Sequence, residues 1–101
     1  MNFIDIYQRS GMYPVELPFT PGSEASGKVL AVGSEVTGLA PGDTVAYCMV
    51  VGAYAGQAVI PAQRLVKLPE GMEARTGAAA MLQGMTAHYL VHTTYPLKGG
   101  E

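Results

Sequence analysis

The chain has 101 residues and a single cysteine, Cys48. One cysteine cannot build an internal disulfide framework, and it fits a reducing compartment. Charge is also scarce: 14% of the residues are Asp, Glu, Lys or Arg, and the formal net charge is -2. No basic block stands out, so the charge balance gives no support for nucleic acid as a partner. No apolar run approaches the roughly 20 residues of a membrane span. The N-terminus lacks a basic stretch leading into an apolar core, so it does not read as a secretory signal. The expected compartment is the cytoplasm, with no membrane partner. There is no internal repeat and no low-complexity tract. Gly-x-Gly-x-x-Gly is missing too, so no phosphate-cradling loop is expected here.

Hydrophobic residues make up 49% of the chain, a globular composition with enough apolar surface for one domain and one modest core. Residues 2–9 read as a short helix. Asn2 can cap it, Asp5 and Arg9 stand at i,i+4, and Gly11 can stop it. Pro14, Pro18 and Pro21 punctuate the loop that follows. Residues 24–32 and 44–51 are strand candidates, joined through the turn chemistry of Pro41-Gly42-Asp43. Gly27 and Gly33 are expected to supply positive φ or a close backbone approach. Residues 52–56 form a bend, and 57–60 and 64–68 two further short strands. Then the period changes. Ala78, Met81, Leu82, Met85, Tyr89 and Leu90 recur at helical spacing. Gly84 is expected to divide two helices, 73–82 and 85–94, with Pro96 ending the second. Strands first and helices last predict an α+β fold.

Several motifs occur in order. Asn2-Phe3-Ile4-Asp5-Ile6-Tyr7 opens the chain and Tyr13-Pro14 follows. Then come Gly22-Ser23-Glu24-Ala25-Ser26-Gly27, Pro41-Gly42-Asp43 and Met81-Leu82-Gln83-Gly84-Met85-Thr86-Ala87-His88-Tyr89-Leu90. Together they resemble the catalytic domain of the medium-chain dehydrogenase/reductase superfamily, most closely its zinc-free NADPH:quinone oxidoreductases. The resemblance runs from Asn2 to Glu101. It implies a GroES-like β-barrel with C-terminal helices and a Rossmann domain absent from this chain. Residues 1–72 would be the GroES-like core, lacking the family's first strands. Residues 73–101 would be interdomain helices leading to the nucleotide-binding domain, so the chain is expected to be a fragment. For the full-length enzyme the resemblance implies a homodimer that uses NADPH to reduce a quinone or an α,β-unsaturated carbonyl compound.

The resemblance also assigns residues. Zinc-dependent relatives hold catalytic zinc with an early cysteine and the histidine of Gly-His-Glu; Asn2 and Ser23 stand at those positions here. Neither is a good zinc ligand, and no cysteine cluster occurs, so no metal site is expected. Asn2, Phe3, Ile4, Asp5 and Tyr7 would line the interdomain cleft beside the nicotinamide end of NADPH, and Tyr13 would border the substrate. Asn2 offers amide donors and acceptors; Tyr7 offers a ring and a hydroxyl. Gln83, Thr86 and Tyr89 would border the cofactor. Without the resemblance, residues 2–7 read as a capped helix, Tyr13 as a loop anchor, and Thr86 as a threonine bonded to its own helix. His88 and His92 stand at i,i+4 but lack a third ligand, so exposed or partly packed histidines are expected. Cys48 reads as a buried inert thiol, and Tyr54 as a ring covering one end of the barrel. Two other functions stay open: a non-catalytic GroES-like interaction module, and a truncated inactive product.

Overall fold

The structure is a computed structural model that describes residues 1–100. Helix α1 spans Phe3–Ser10. At its start the Asp5 carboxylate accepts the Asn2 backbone N–H at 2.8 Å, one half of a capping box. At its end Gly11 takes a φ of 81° and donates its N–H to the Gln8 carbonyl. That left-handed stop favours glycine. The helix therefore lies one residue beyond the expected 2–9, with Asn2 at its N-cap position and the expected stop at Gly11.

Strands β1 (Glu24–Lys28), β2 (Thr44–Cys48) and β3 (Val66–Lys67) form one antiparallel sheet in the order β1-β2-β3. Glu24 pairs with Cys48 and Lys28 with Thr44. The expected turn is present. Gly42 has a φ of 94° and donates to the Val29 carbonyl at 2.8 Å, while the Asp43 carboxylate accepts the Ala40 N–H at 2.9 Å.

Several expectations are corrected. Both long strands are shorter than 24–32 and 44–51. At the end of β2, Met49 adopts a φ of 63°, and the N–H groups of Gly52 and Ala53 both turn to the Gly22 carbonyl. Left-handed backbone cannot continue a ladder. Residues 57–60 form no strand: they have no neighbouring strand, and Val59 is fully exposed. Residues 64–68 shrink to the two-residue β3, preceded by a 3₁₀ turn at Ala62–Arg64. Gly27 and Gly33 have neither positive φ nor a close neighbour; Gly22 and Gly42 carry the positive φ instead. Helix α2 is continuous over Ala74–Tyr89 and runs into a π-helical turn at Leu90–Thr94. One glycine costs a helix interior only about 1 kcal/mol, and Ala79, Ala80, Met81 and Leu82 before Gly84 favour helix.

Helix α2 lies across β1 and β2. Gly77 is buried there because the Leu68 side chain occupies the space that a Cβ would need. The buried apolar centre is small: Val45, Ala46 and Tyr47 of β2. Burial also raises the Tyr47 pKa above the ordinary tyrosine value. The radius of gyration is 15.8 Å, against about 13 Å for a compact chain of this length. The α+β order holds. Among the described residues, no helix is long and apolar enough to cross a membrane.

Candidate functional site

Four segments meet beside the start of α1. The Asn2 side chain lies at their centre. Its Nδ2 donates to Glu24 Oε1 at 3.0 Å, and its Oδ1 accepts from Gln83 Nε2 at 3.0 Å. Glu24 Oε2 accepts the backbone N–H of Leu82 in α2 at 2.9 Å. One carboxylate at the head of β1 thus holds the first helix and the last in one arrangement.

Asp5 supports this group from below. It is 5% exposed. Its Oδ2 accepts both the Asn2 N–H and the Tyr54 hydroxyl, at 2.8 and 3.1 Å, and its buried Oδ1 has no hydrogen-bond partner. Tyr54 reaches Asp5 across Gly22, where a Cβ would collide with the Tyr54 ring and with Ala53. A glycine is required there on two counts, the collision and a φ of 95°. Desolvation, then the Asp5 hydrogen bond and charge, raise the Tyr54 pKa; the Arg9 charge opposes them. So Tyr54 does more than the expected covering ring: its hydroxyl pins α1.

The aromatic residues form a second group. Phe3 and Tyr7, one helical turn apart, stack with ring centroids 6.1 Å apart at 23°. Tyr7 and Tyr13 lie 5.3 Å apart at 58°. Gly11 turns the chain so that the Tyr13 N–H reaches the Tyr7 carbonyl at 3.1 Å. Phe3 stays 75% exposed and Tyr13 50%, so the cluster is an open wall rather than a core.

The structure therefore brings together Asn2, Asp5 and Gln83, and separately Phe3, Tyr7 and Tyr13. Ile4 lies on α1, 38% exposed. The Thr86 hydroxyl donates to the Leu82 carbonyl at 2.7 Å, the local bond expected of a helical threonine. Tyr89 is exposed. His88 and His92 stack on each other, both exposed. Cys48 is half-buried, with Sγ 4.0 Å from Met85 Sδ, so the expected buried thiol is corrected to one at the margin of the α2–sheet contact. Glu24 and the Tyr54 hydroxyl carry bonds that sequence reasoning did not assign to them. Their partners lie 22 and 58 residues away for Glu24 and 49 for Tyr54, and no local pattern announces such bonds.

Among the described residues, no three His, Cys, Asp or Glu side chains group as metal ligands would. A concavity of about 810 Å³ has Val29, Leu30, Tyr47, Val59 and Ile60 in its lining, and none of the candidate residues borders it. The candidate site is thus an open face with amides at one place and flat rings at another. Such a face can hydrogen-bond a carbonyl group through its amides and pack a planar ring on its aromatics.

The alcohol dehydrogenase GroES-like domain family matches residues 1–70. The quinone oxidoreductase of Pseudomonas aeruginosa is 50% identical over 103 aligned residues, covering 100% of this chain and 32% of the relative. Quinone oxidoreductase 1 of Escherichia coli is 42% identical, with the same coverage. The crystal structure of Escherichia coli quinone oxidoreductase complexed with NADPH superposes with a TM-score of 0.90 at 42% identity, covering 97% of this chain and 31% of that one. This chain spans about a third of the length of those curated relatives.

Proposed function

We propose, for a chain that belongs to the alcohol dehydrogenase GroES-like family, that it forms the substrate-side wall of an NADPH-dependent quinone oxidoreductase. The reaction is quinone plus NADPH plus a proton giving hydroquinone plus NADP⁺. NADPH, when bound by the full-length protein, supplies the hydride. A quinone accepts hydride without a Lewis acid, and Asn2 and Ser23 stand where zinc-dependent relatives carry ligands, so no metal enters this reading.

The chain's own work is positioning and exclusion of water. Tyr7 and Tyr13 offer adjacent ring surfaces to a flat substrate, and the Tyr7 hydroxyl offers it a hydrogen bond. Asn2 offers an amide N–H to a carbonyl oxygen. Phe3, Ile4, Gln83, Thr86 and Tyr89 lie on the faces of α1 and α2 assigned to the cofactor ring. Asp5 is assigned to the same group, but its carboxylate is buried and its Oδ2 is taken by Asn2 and Tyr54, so it acts by holding Asn2.

The observation that carries this reading is the Asn2–Gln83 hydrogen bond of 3.0 Å. Two motifs assigned to one cleft, 81 residues apart in sequence, meet there. The test is steady-state quinone reduction by the full-length protein, beside thermal unfolding. Asn2→Ala and Tyr7→Phe should each lower kcat/KM by roughly 5- to 150-fold, the worth of one positioned hydrogen bond in the transition state. Melting temperature should move little. If activity holds while stability drops, the two residues are a helix cap and a packing ring.

A further inference from the structure

We propose that Glu24 is a positioning residue. It fixes which way round the Asn2 amide stands, and through Asn2 it orients Gln83. This rests on the reading of Asn2 as the polar contact to substrate.

The argument is one of donors and acceptors. A carboxylate only accepts hydrogen bonds. One Glu24 oxygen faces Asn2 at 3.0 Å and the other faces the Leu82 N–H at 2.9 Å. The Asn2 atom toward Glu24 must therefore be its nitrogen. A flipped amide would set oxygen against oxygen with no proton between them. Nitrogen toward Glu24 puts Oδ1 toward Gln83, and that oxygen needs a donor. The Gln83 amide must then turn its own nitrogen inward, as found at 3.0 Å. One acceptor-only group thus sets the orientation of two amides.

Glu24 has a second hold on the same pair. The Leu82 N–H that it accepts belongs to the residue just before Gln83, so the carboxylate also anchors the backbone from which Gln83 projects. Nor is it paired with a cation: among the described residues the ion pair is Lys67 with Asp43. Both Glu24 oxygens serve N–H groups of the candidate site. What remains for a ligand follows by subtraction. Asn2 keeps one N–H, a donor suited to a carbonyl oxygen. Gln83 keeps its carbonyl oxygen, an acceptor, and its second N–H, a donor.

Glu24→Gln tests this, because an amide of the same shape both donates and accepts and so no longer selects one orientation. In the ¹⁵N-labelled 101-residue chain, the Asn2 and Gln83 side-chain amide signals should shift or double, while β1–β2 backbone signals report an intact sheet. In the full-length protein, kcat/KM for the quinone should fall roughly 5- to 150-fold, carried by kcat, with KM for NADPH and melting temperature nearly unchanged. A merely structural glutamate would not give that split. Unmoved Asn2 signals in Glu24→Gln overturn the inference. So do unchanged kinetics in Glu24→Gln when Asn2→Ala is impaired, an outcome that leaves the functional reading standing. If both variants keep full activity, the functional reading falls as well. Should Glu24→Gln fail to fold, Glu24→Asp replaces it. That variant keeps an acceptor-only group, so a single set of Asn2 amide signals is expected, and two sets overturn the inference.

Discussion

The two halves of helix α2 differ sharply. From Ala74 to Leu82 the helix is docked: Gly77 is buried on Leu68, Ala78, Met81 and Leu82 are half-buried, and the Leu82 N–H is held by Glu24. From Gln83 to Tyr89 every residue is exposed, and Met85, Tyr89 and Leu90 carry apolar surface into solvent. One continuous helix thus has one half shaped by this chain's own sheet and one half that touches the sheet only at its margin, where Met85 meets Cys48. The periodicity of apolar residues runs through both halves alike. Period reports which face of a helix is apolar; it does not report what covers that face.

The two glycines of α2 break the comparison most directly. Gly77 lies in the docked half, and a Cβ there meets Leu68 carbons at 3.1 and 3.3 Å as well as its Cδ1 atom. Gly77→Leu should overfill that contact and cost about 1–3 kcal/mol. That corresponds to a fall in melting temperature of several degrees for a chain this size. The measurement is thermal or urea unfolding of the 101-residue chain. An unchanged midpoint would mean that the docked half is not packed as described.

Gly84 should respond with the opposite sign. The nearest atom to a Cβ there is the Ala80 Cβ at 3.8 Å, an ordinary contact. Gly84→Ala should therefore stabilise the helix by about 0.5–1 kcal/mol, through backbone entropy alone. Destabilisation would show that residue 84 needs a close approach that the structure does not contain.

These two glycines also mark how far the sequence could be read. Local chemistry was legible. The Asn2–Gly11 helix with its stop and the Pro41-Gly42-Asp43 turn follow from residues that act on their immediate neighbours. The α+β order followed from periodicity, and the family from motifs in series. Long-range contacts decided the rest. Met49 in left-handed backbone and the convergence of Gly52 and Ala53 on Gly22 ended the strands early. Gly84 looked like a break because glycine is a weak helix former, yet nothing around it opposes the helix. Glu24 reads in the sequence only as the head of a strand and part of the Gly22–Gly27 motif. Its bonds to Asn2 and Leu82 appear only once strand and helices are assembled.

A smaller effect on stability, though not on solubility, is expected at the exposed half. Met85→Gln with Leu90→Gln removes apolar surface that is 56% and 48% exposed. The unfolding free energy should change by no more than about 0.5 kcal/mol. Exposed apolar patches favour association. Sedimentation of the wild-type chain should therefore show species larger than a monomer, and the double variant should move toward monomer. A wild-type chain that is already monomeric would mean that the exposed half carries no interaction surface.

The smallest effect sharpens the comparison from the docked side. Leu68, which receives Gly77, follows directly on β3, and β3 is tied to the start of β2 by the Lys67–Asp43 ion pair at 2.7 Å. The Lys67 ammonium, then the Ala40 N–H, holds the Asp43 carboxyl below the ordinary aspartate value. The sign follows by linkage. A depressed folded-state pKa gives a stabilising contribution that is complete above the unfolded value near pH 4. It is lost as pH falls from there through the folded value. Lys67 is 57% exposed, so solvent and salt screen the pair and the contribution is small. Lys67→Gln should thus lower the melting temperature slightly at pH 6 and flatten its decline below pH 4. If the pair steadies the platform beneath Leu68, hydrogen exchange at Gly77 and Ala78 should quicken in the same variant, while exchange from Met85 to Tyr89 stays as it was. Equal quickening along the whole helix would mean that α2 responds as one unit and that its two halves are not independently held.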